Sequence, residues 1–272
     1  MMKNFFIFVL IILGLTMQTN LWADEKQLEV ITFHYPPVMG ESSLSKEGIL
    51  VELVRAAFAS QKVPITVTYL PVKRAISQIT SNKSLAYIGV KNTFDAKVQP
   101  HIQEYPFFVS RFLLFYRKDR FPKGFSYQKL SDLKNYRIGV LAGGTTDVVG
   151  RANNLDIDPA YDLDLVFKKL DAKRDDLGVA SEFSIELMLH DLFKDRAAEY
   201  GINKEVPFHS INSVLLLNDR HPDFAYFEQK LKAGMKEISK NGQWQQILEQ
   251  FYGAGNIPAV TRQLFETAVA AY

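Results

Sequence analysis

Tyr136-Arg137-Ile138-Gly139-Val140-Leu141-Ala142-Gly143-Gly144-Thr145-Thr146 is the stretch on which the fold turns. Tyr136 to Leu141 reads as a strand, the paired glycines end it, and Thr145 and Thr146 open a helix. A helix beginning where a strand stops leaves backbone N–H groups free and turns the positive end of its dipole toward the loop. The two glycines let a guest approach the main chain closely. The stretch therefore suits an anion, with a carboxylate as the natural guest, and needs no charged side chain. Its plainer reading is a glycine turn with Thr145 or Thr146 as the N-cap. It is not a nucleotide loop, because no Gly-Lys-Ser/Thr follows.

The same alternation extends outward in both directions. Toward the N-terminus, Gln27 to Phe33 reads as a strand stopped by Tyr35-Pro36-Pro37, since proline removes a ladder donor. Leu50, Leu53, Val54, Ala57 and Phe58 predict a helix over Ile49 to Ser60, followed by a strand from Ile65 to Leu70. Pro71 stands at the head of a helix over Val72 to Thr80, where its missing N–H costs little, and Leu85 to Val90 forms the next strand. Arg111 to Arg117 is a dense aromatic run that reads as a strand buried on both faces, and the loop-like Lys118 to Gln128 follows it. A domain crossing is expected near Lys118. Toward the C-terminus the expected order is strand Leu163 to Phe167, strand Asp176 to Ala180, helix Phe183 to Asp195 and return strand Ser213 to Leu217. Amphipathic helices over Asp223 to Ile238 and Trp244 to Tyr252 complete it. Alternating strands and helices build mostly parallel sheets flanked by helices, so the fold class is α/β.

Composition narrows the function. The chain has 272 residues, 47% hydrophobic and 23% charged, which is globular and excludes disordered, collagen-like and coiled-coil classes. Lys plus Arg number 32 against 30 Asp plus Glu, and the basic residues are dispersed, so nucleic acid is not an expected partner. Cysteine is absent, which removes disulfides, thiolate metal sites, a cysteine nucleophile and a lipidated cysteine together. Lys3, the apolar run Phe5 to Leu15 and Ala23 before Asp24 follow the order of a secretory signal peptide, residues 1–23. The run is too short to span a membrane, so the expected mature chain starts near Asp24, is exported and resides in the periplasm. His34, His101, His190, His209 and His221 show no metal-binding spacing, and no Gly-x-Ser-x-Gly elbow occurs. No metal, cofactor or enzymatic activity is expected from these residues.

Seven segments in order carry a resemblance. They are Tyr35-Pro36-Pro37, Gly48, Pro71-Val72-Lys73-Arg74-Ala75, Tyr105-Pro106-Phe107, Leu130-Ser131-Asp132-Leu133-Lys134, Ile138 to Thr145, and Lys240-Asn241-Gly242-Gln243-Trp244. Together the chain resembles the type II periplasmic solute-binding proteins, in the amino-acid-binding branch (family 3) that feeds ABC importers. The resemblance implies two α/β lobes joined by two hinge crossovers, with residues 24–117 and 213–272 in lobe one and 118–212 in lobe two. It also implies a monomer, a small solute between the lobes, and an ABC permease as partner, or a membrane sensor that reads the same closure.

The resemblance assigns residues by position. Gly144, Thr145 and Thr146 would take the ligand carboxylate. The family's carboxylate-gripping arginine is missing from Thr93-Phe94-Asp95-Ala96-Lys97, where Lys97 either supplies the charge or sits on a solvated loop. The family's ammonium-binding carboxylate falls on Ser181 or Glu182, between which register does not choose. Arg74 either points a guanidinium at the cleft or pairs on the surface, and Tyr35 and Phe107, with Phe108, border loops that could hold an apolar ligand part. Some proteins of this fold are small-acid dehydratases with a carboxylate in the cleft as general acid, a role for which Glu182 is the candidate.

Overall fold

A computed structural model describes residues 26–272, so the expected signal peptide lies outside the described residues. Nine strands form among these residues: β1 (Leu28–Thr32), β2 (Ile65–Tyr69), β3 (Ala86–Gly89), β4 (Ile102–Arg117), β5 (Arg137–Leu141), β6 (Asp156–Ala160), β7 (Leu177–Ser181), β8 (Tyr200–Asn203) and β9 (His209–Asn218). Their order is β2-β1-β3-β9-β4-β7-β5-β6, with β8 beside the end of β4. In the first lobe β2, β1 and β3 are parallel and β9 runs antiparallel to β3. In the second, β6, β5 and β7 are parallel, and the end of β4 runs antiparallel to β7 and β8. The lobes are joined by β4 and β9, paired antiparallel from Ile102 opposite Asn218 to Phe112 opposite His209.

Among the described residues, eight α-helices cover the sheets: α1 (Ile49–Ser60), α2 (Val72–Thr80), α3 (Thr145–Ala152), α4 (Leu163–Asp171), α5 (Glu182–Phe193), α6 (Phe224–Lys240), α7 (Gln243–Tyr252) and α8 (Ala259–Ala271). The apolar face of α1 packs on α6 and α7, and α8 lies along β4. Chain segments on the far side of the crossing thus return to cover the first lobe. Trp244 stacks flat on Phe265 at 4.6 Å, and its indole N–H donates to the Phe107 carbonyl at 3.0 Å. An aromatic stack with its one polar group satisfied is a stable way to close a core.

Several expectations shift. Leu163 to Phe167, expected as a strand, is the start of α4, because the Asp162 carboxylate accepts from the Leu165 N–H and caps a helix there. The strand of that repeat is β6, an edge strand pairing only with β5, where Pro159 removes no needed donor. The aromatic run at Arg111 is the second half of a strand that starts at Ile102 and passes Pro106 at a register shift between Pro106 and Phe108. The return strand starts at His209 rather than Ser213. β8 and α8 were not anticipated.

A buried acidic pair lies beside Arg137, at the start of β5 and away from the strand ends that Leu141 and Ser181 mark. Asp175 is buried, and neither of its carboxylate oxygens has a hydrogen-bond partner among the described residues. Burial, and then the neighbouring Asp158, hold its carboxyl above the ordinary carboxylate range; Lys169 and Arg137 partly oppose this. A carboxyl raised in the folded state keeps a proton that the unfolded chain releases, so this group subtracts stability as pH climbs above the ordinary carboxylate value. Asp175→Asn should therefore raise the melting temperature more at about pH 8 than at about pH 5. An equal shift at both would refute the assignment.

A second prediction concerns the contact between α1 and α6. A Cβ added to Gly234 would lie 2.0 Å from the Ala57 carbonyl oxygen, a backbone atom that cannot swing aside. Gly234→Ala should cost about 1–3 kcal/mol in urea unfolding through overpacking. An unchanged midpoint would mean that the two helices do not approach this closely.

Candidate functional site

Strand ends in an open α/β sheet are where loops can converge on a guest, and here the loops of both lobes do so. A cavity open to solvent is lined by Phe33, Tyr35 and Gly89 of the first lobe and by Gly143 to Thr146 and Ser181 of the second. Ser110 and Phe112 of β4 and Asn212 and Ser213 of β9 complete it, so the crossing strands form part of its surface. Among the described residues that line it there is no Asp, Glu, Lys, Arg or His. No cluster of His, Asp and Glu among the described residues is placed to hold a metal ion.

The second-lobe wall is the start of α3. Gly144 occupies the N-cap position, and the backbone N–H groups of Thr145, Thr146 and Asp147 take no acceptor among the described residues. Three unpaired donors at the positive end of a helix are an anion cradle. A fourth donor, the Gly143 N–H, is held at 3.0 Å by the Asp147 carboxylate, which pairs in turn with Arg151. The Thr146 hydroxyl shares a 3.0 Å hydrogen bond with Nε2 of His209, whose ring stacks on Phe112 at 4.4 Å. Burial pushes the His209 pKa down to about 4, so the imidazole is neutral at neutral pH and adds no charge beside the cradle.

Direct bonds join the lobes at the cavity edge. The Ser181 N–H donates to the Tyr35 hydroxyl at 3.1 Å, and the Ser184 hydroxyl donates to the Pro36 carbonyl at 2.8 Å. Burial raises the Tyr35 pKa, so the phenol stays protonated. Ser181 also caps α5, its hydroxyl accepting from the Ser184 N–H. Of the two alternatives, Ser181 lines the cavity and Glu182 does not. Glu182 instead takes the Arg111 guanidinium at 2.8 Å and its N–H at 3.3 Å, in a separate groove with Phe183 and Tyr252. A strand residue and its successor point to opposite faces, and Ser181 is the last residue of β7. The structure thus brings no carboxylate to the cavity at this position, for ammonium binding or for acid catalysis.

Of the residues singled out above, Tyr35, Gly144, Thr145, Thr146 and Ser181 line one cavity. Arg74 does not: it is exposed on α2 without a side-chain hydrogen bond or ion pair among the described residues. Lys97 is exposed and lies outside the lining, so the positively charged substitute for the missing arginine is not at the cavity. Phe107 is fully buried against Phe265, beneath the C-terminal helices, and Phe108 meets Phe183 edge-on. Both aromatics belong to the core. Unanticipated members are Tyr87, Ser110, Phe112, Asn212 and Ser213.

No protein-family model matches the chain. No curated protein matches it either. Solved structures do. The GluR0 ligand-binding core in complex with L-glutamate superposes with a TM-score of 0.67 at 15% identity, covering 84% of this chain and 99% of that one. The arginine-, lysine-, histidine-binding protein ArtJ from Geobacillus stearothermophilus gives 0.66 at 13%, covering 89% and 100%. A histidine kinase sensor domain with similarity to periplasmic binding proteins gives 0.66 at 17%, covering 85% and 98%. What these likenesses share with the chain is the fold, two α/β lobes joined by two crossing strands with a cavity between them, as in the type II periplasmic binding proteins.

Proposed function

We propose that this chain is an exported solute-binding protein that closes its lobes, residues 24–117 with 213–272 and residues 118–212, on a small polar or anionic solute in the periplasm. The closed form would be delivered to an ABC importer. The observation that carries this reading is a cavity walled by both lobes and lined by Thr145 and Thr146, whose N–H groups at the start of α3 are unpaired among the described residues. Only the closed arrangement brings the first-lobe residues Tyr35 and Gly89 and the α3 cradle to one guest, so second-lobe contacts act as differential affinity for closure. Hinged closure about the two crossing strands is the usual motion of such an architecture. The second reading, a periplasmic sensing module whose closure is read by a membrane receptor, draws on the likeness to a histidine kinase sensor domain.

Thermal-shift screening over amino acids, small carboxylates, polyamines and peptides should find a stabilising ligand, since a solute at 100 times its Kd adds about 2.7 kcal/mol. X-ray scattering should then show a more compact particle with that ligand, and an unchanged radius would count against closure. Gly144 has ordinary backbone angles, and an added Cβ meets only the Leu141 carbonyl, at 3.4 Å. Gly144→Phe should therefore abolish binding and leave the ligand-free melting temperature nearly unchanged, whereas Lys97→Ala and Arg74→Ala should bind as the wild type does. Retained binding in Gly144→Phe would remove the cradle from the site.

A further inference from the structure

The cavity wall contains one buried polar group that nothing among the described residues satisfies. Tyr87 of β3 is 0% exposed, lines the cavity, and its hydroxyl has no hydrogen-bond partner among the described residues. The Phe94 ring packs edge-on against it at 5.8 Å and fixes its plane. Gly89, two residues on and on the same face of the strand, keeps the space the ring occupies: a Cβ there would lie 2.5 Å from the Tyr87 hydroxyl oxygen and 2.2 Å from the ring. The phenol is thus carried along β3 toward its C-terminal end, the end that opens on the cavity. Burial alone keeps it protonated and able to donate.

Most neighbouring hydroxyls differ from it. Those of Ser110 and Ser213 bond each other at 2.7 Å, that of Thr93 bonds the Val90 carbonyl, and those of Tyr35, Ser181 and Thr146 hold the partners described above. A buried hydroxyl left unpaired is unfavourable, so a phenol held in this state beside a cavity suits a guest that pairs with it.

The charge pattern fixes the rest of the guest. The cradle of α3 invites one negative group. An ammonium entering the same cavity would shed its water and find no carboxylate, because Glu182 faces the other groove and Asp147 is occupied by Gly143 and Arg151. Only neutral oxygens of hydroxyls and carbonyls and the aromatic faces would remain for it, none of which carries the compensating charge. The other lining is largely apolar, with Phe33, Leu50, Val72, Phe112 and Val179 among its members.

Resting on the reading of the cavity as a solute site, we propose that the ligand is an organic monoacid without an ammonium group. Its carboxylate lies on the amides of Thr145 to Asp147, its body is aromatic or branched and apolar, and a hydrogen-bonding group of the ligand meets the Tyr87 hydroxyl.

Calorimetric titration of the protein with triples of the same carbon skeleton tests this: L-phenylalanine, phenylpyruvate and 3-phenylpropionate, and L-leucine with its 2-oxo and unsubstituted acids. The 2-oxo or unsubstituted acid of at least one triple should bind about tenfold or more tightly than its amino acid. An amino acid that binds as tightly as its partners, or silence of every ammonium-free acid at about 10 mM, overturns the inference. If glutamate or arginine then binds and compacts the particle, the solute-binding reading stands while this one falls. If a bound acid leaves the particle unchanged in size, lobe closure falls instead. Tyr87→Phe should weaken the best acid about five- to tenfold without lowering the ligand-free melting temperature, since it deletes an unpaired group. Undiminished affinity, or a lower melting temperature, would return the hydroxyl to the core.

Discussion

Because β4 and β9 pair along eleven residues of β4, from Ile102 opposite Asn218 to Phe112 opposite His209, the two lobes share one antiparallel ladder rather than a pair of exposed linkers. Its strands are not solvent-side connectors. Phe112 to Tyr116 and Ser213 to Asn218 are buried throughout. Ser110, Phe112, Asn212 and Ser213 also line the cavity, so the elements that join the lobes touch whatever lies between them. Motion about this ladder and occupancy of the cavity are therefore coupled by geometry, without any relay through distant residues. The register shift between Pro106 and Phe108 lies within the first-lobe part of the ladder, where backbone pairing is already interrupted.

Charge is distributed around the cavity rather than in it. Asp158, Asp175, Lys169 and Arg137 gather beside the start of β5, Arg111 and Glu182 face a separate groove, and Asp147 with Arg151 closes on itself beside the cradle. The cavity is left with main-chain dipoles, hydroxyls and the Asn212 carboxamide as its polar groups. A dipole fixed by the helix needs no counter-ion and loses no side-chain entropy when a ligand arrives, so it favours one negative group at one place. Two of the buried side chains with an unsatisfied polar atom among the described residues, Asp175 and Tyr87, illustrate different physics; the third is His209, at Nδ1. Asp175 meets its cost by holding a proton, while Tyr87 has no such escape and lies where a guest can reach it.

Much of this was legible in the sequence, for identifiable reasons. α2 spans the residues expected because Pro71 marks its start and Ser81-Asn82 its end. Gly143 to Thr146 was legible because a strand, two glycines and two threonines leave few other structures open. β6 was not: Asp156-Ile157-Asp158-Pro159 looks like a loop until the edge position of the strand explains its proline. Ser181 and Glu182 could not be separated because they stand at the junction of β7 and α5, where the two-residue period gives way to the helical one. Phe107 resembles a cleft aromatic only while α8 goes unread, since Phe265 is what claims it. For Tyr87 the available signal was the Tyr-x-Gly spacing, a large and a small residue on one face of a strand. That spacing gains meaning only once the strand's end is known to open on a cavity.

The bonds that join the lobes bear on how strongly a ligand must act. Tyr35 to Ser181 and Ser184 to Pro36 form between protein groups alone, each contributing on the order of 1 kcal/mol. On the proposed reading they would bias the closed arrangement before any guest arrives, and a ligand would need to supply only the remaining differential affinity. Since no charged side chain lines the cavity, that remainder comes from apolar burial and from the α3 amides rather than from long-range attraction. Recognition of this kind is insensitive to salt at the contact itself and demanding in shape. A guest that is too small leaves voids against Phe112 and Val179, and one with a second charge must bury it beside them. The same neutrality that relaxes the requirement for an arginine thus narrows the chemistry the site accepts.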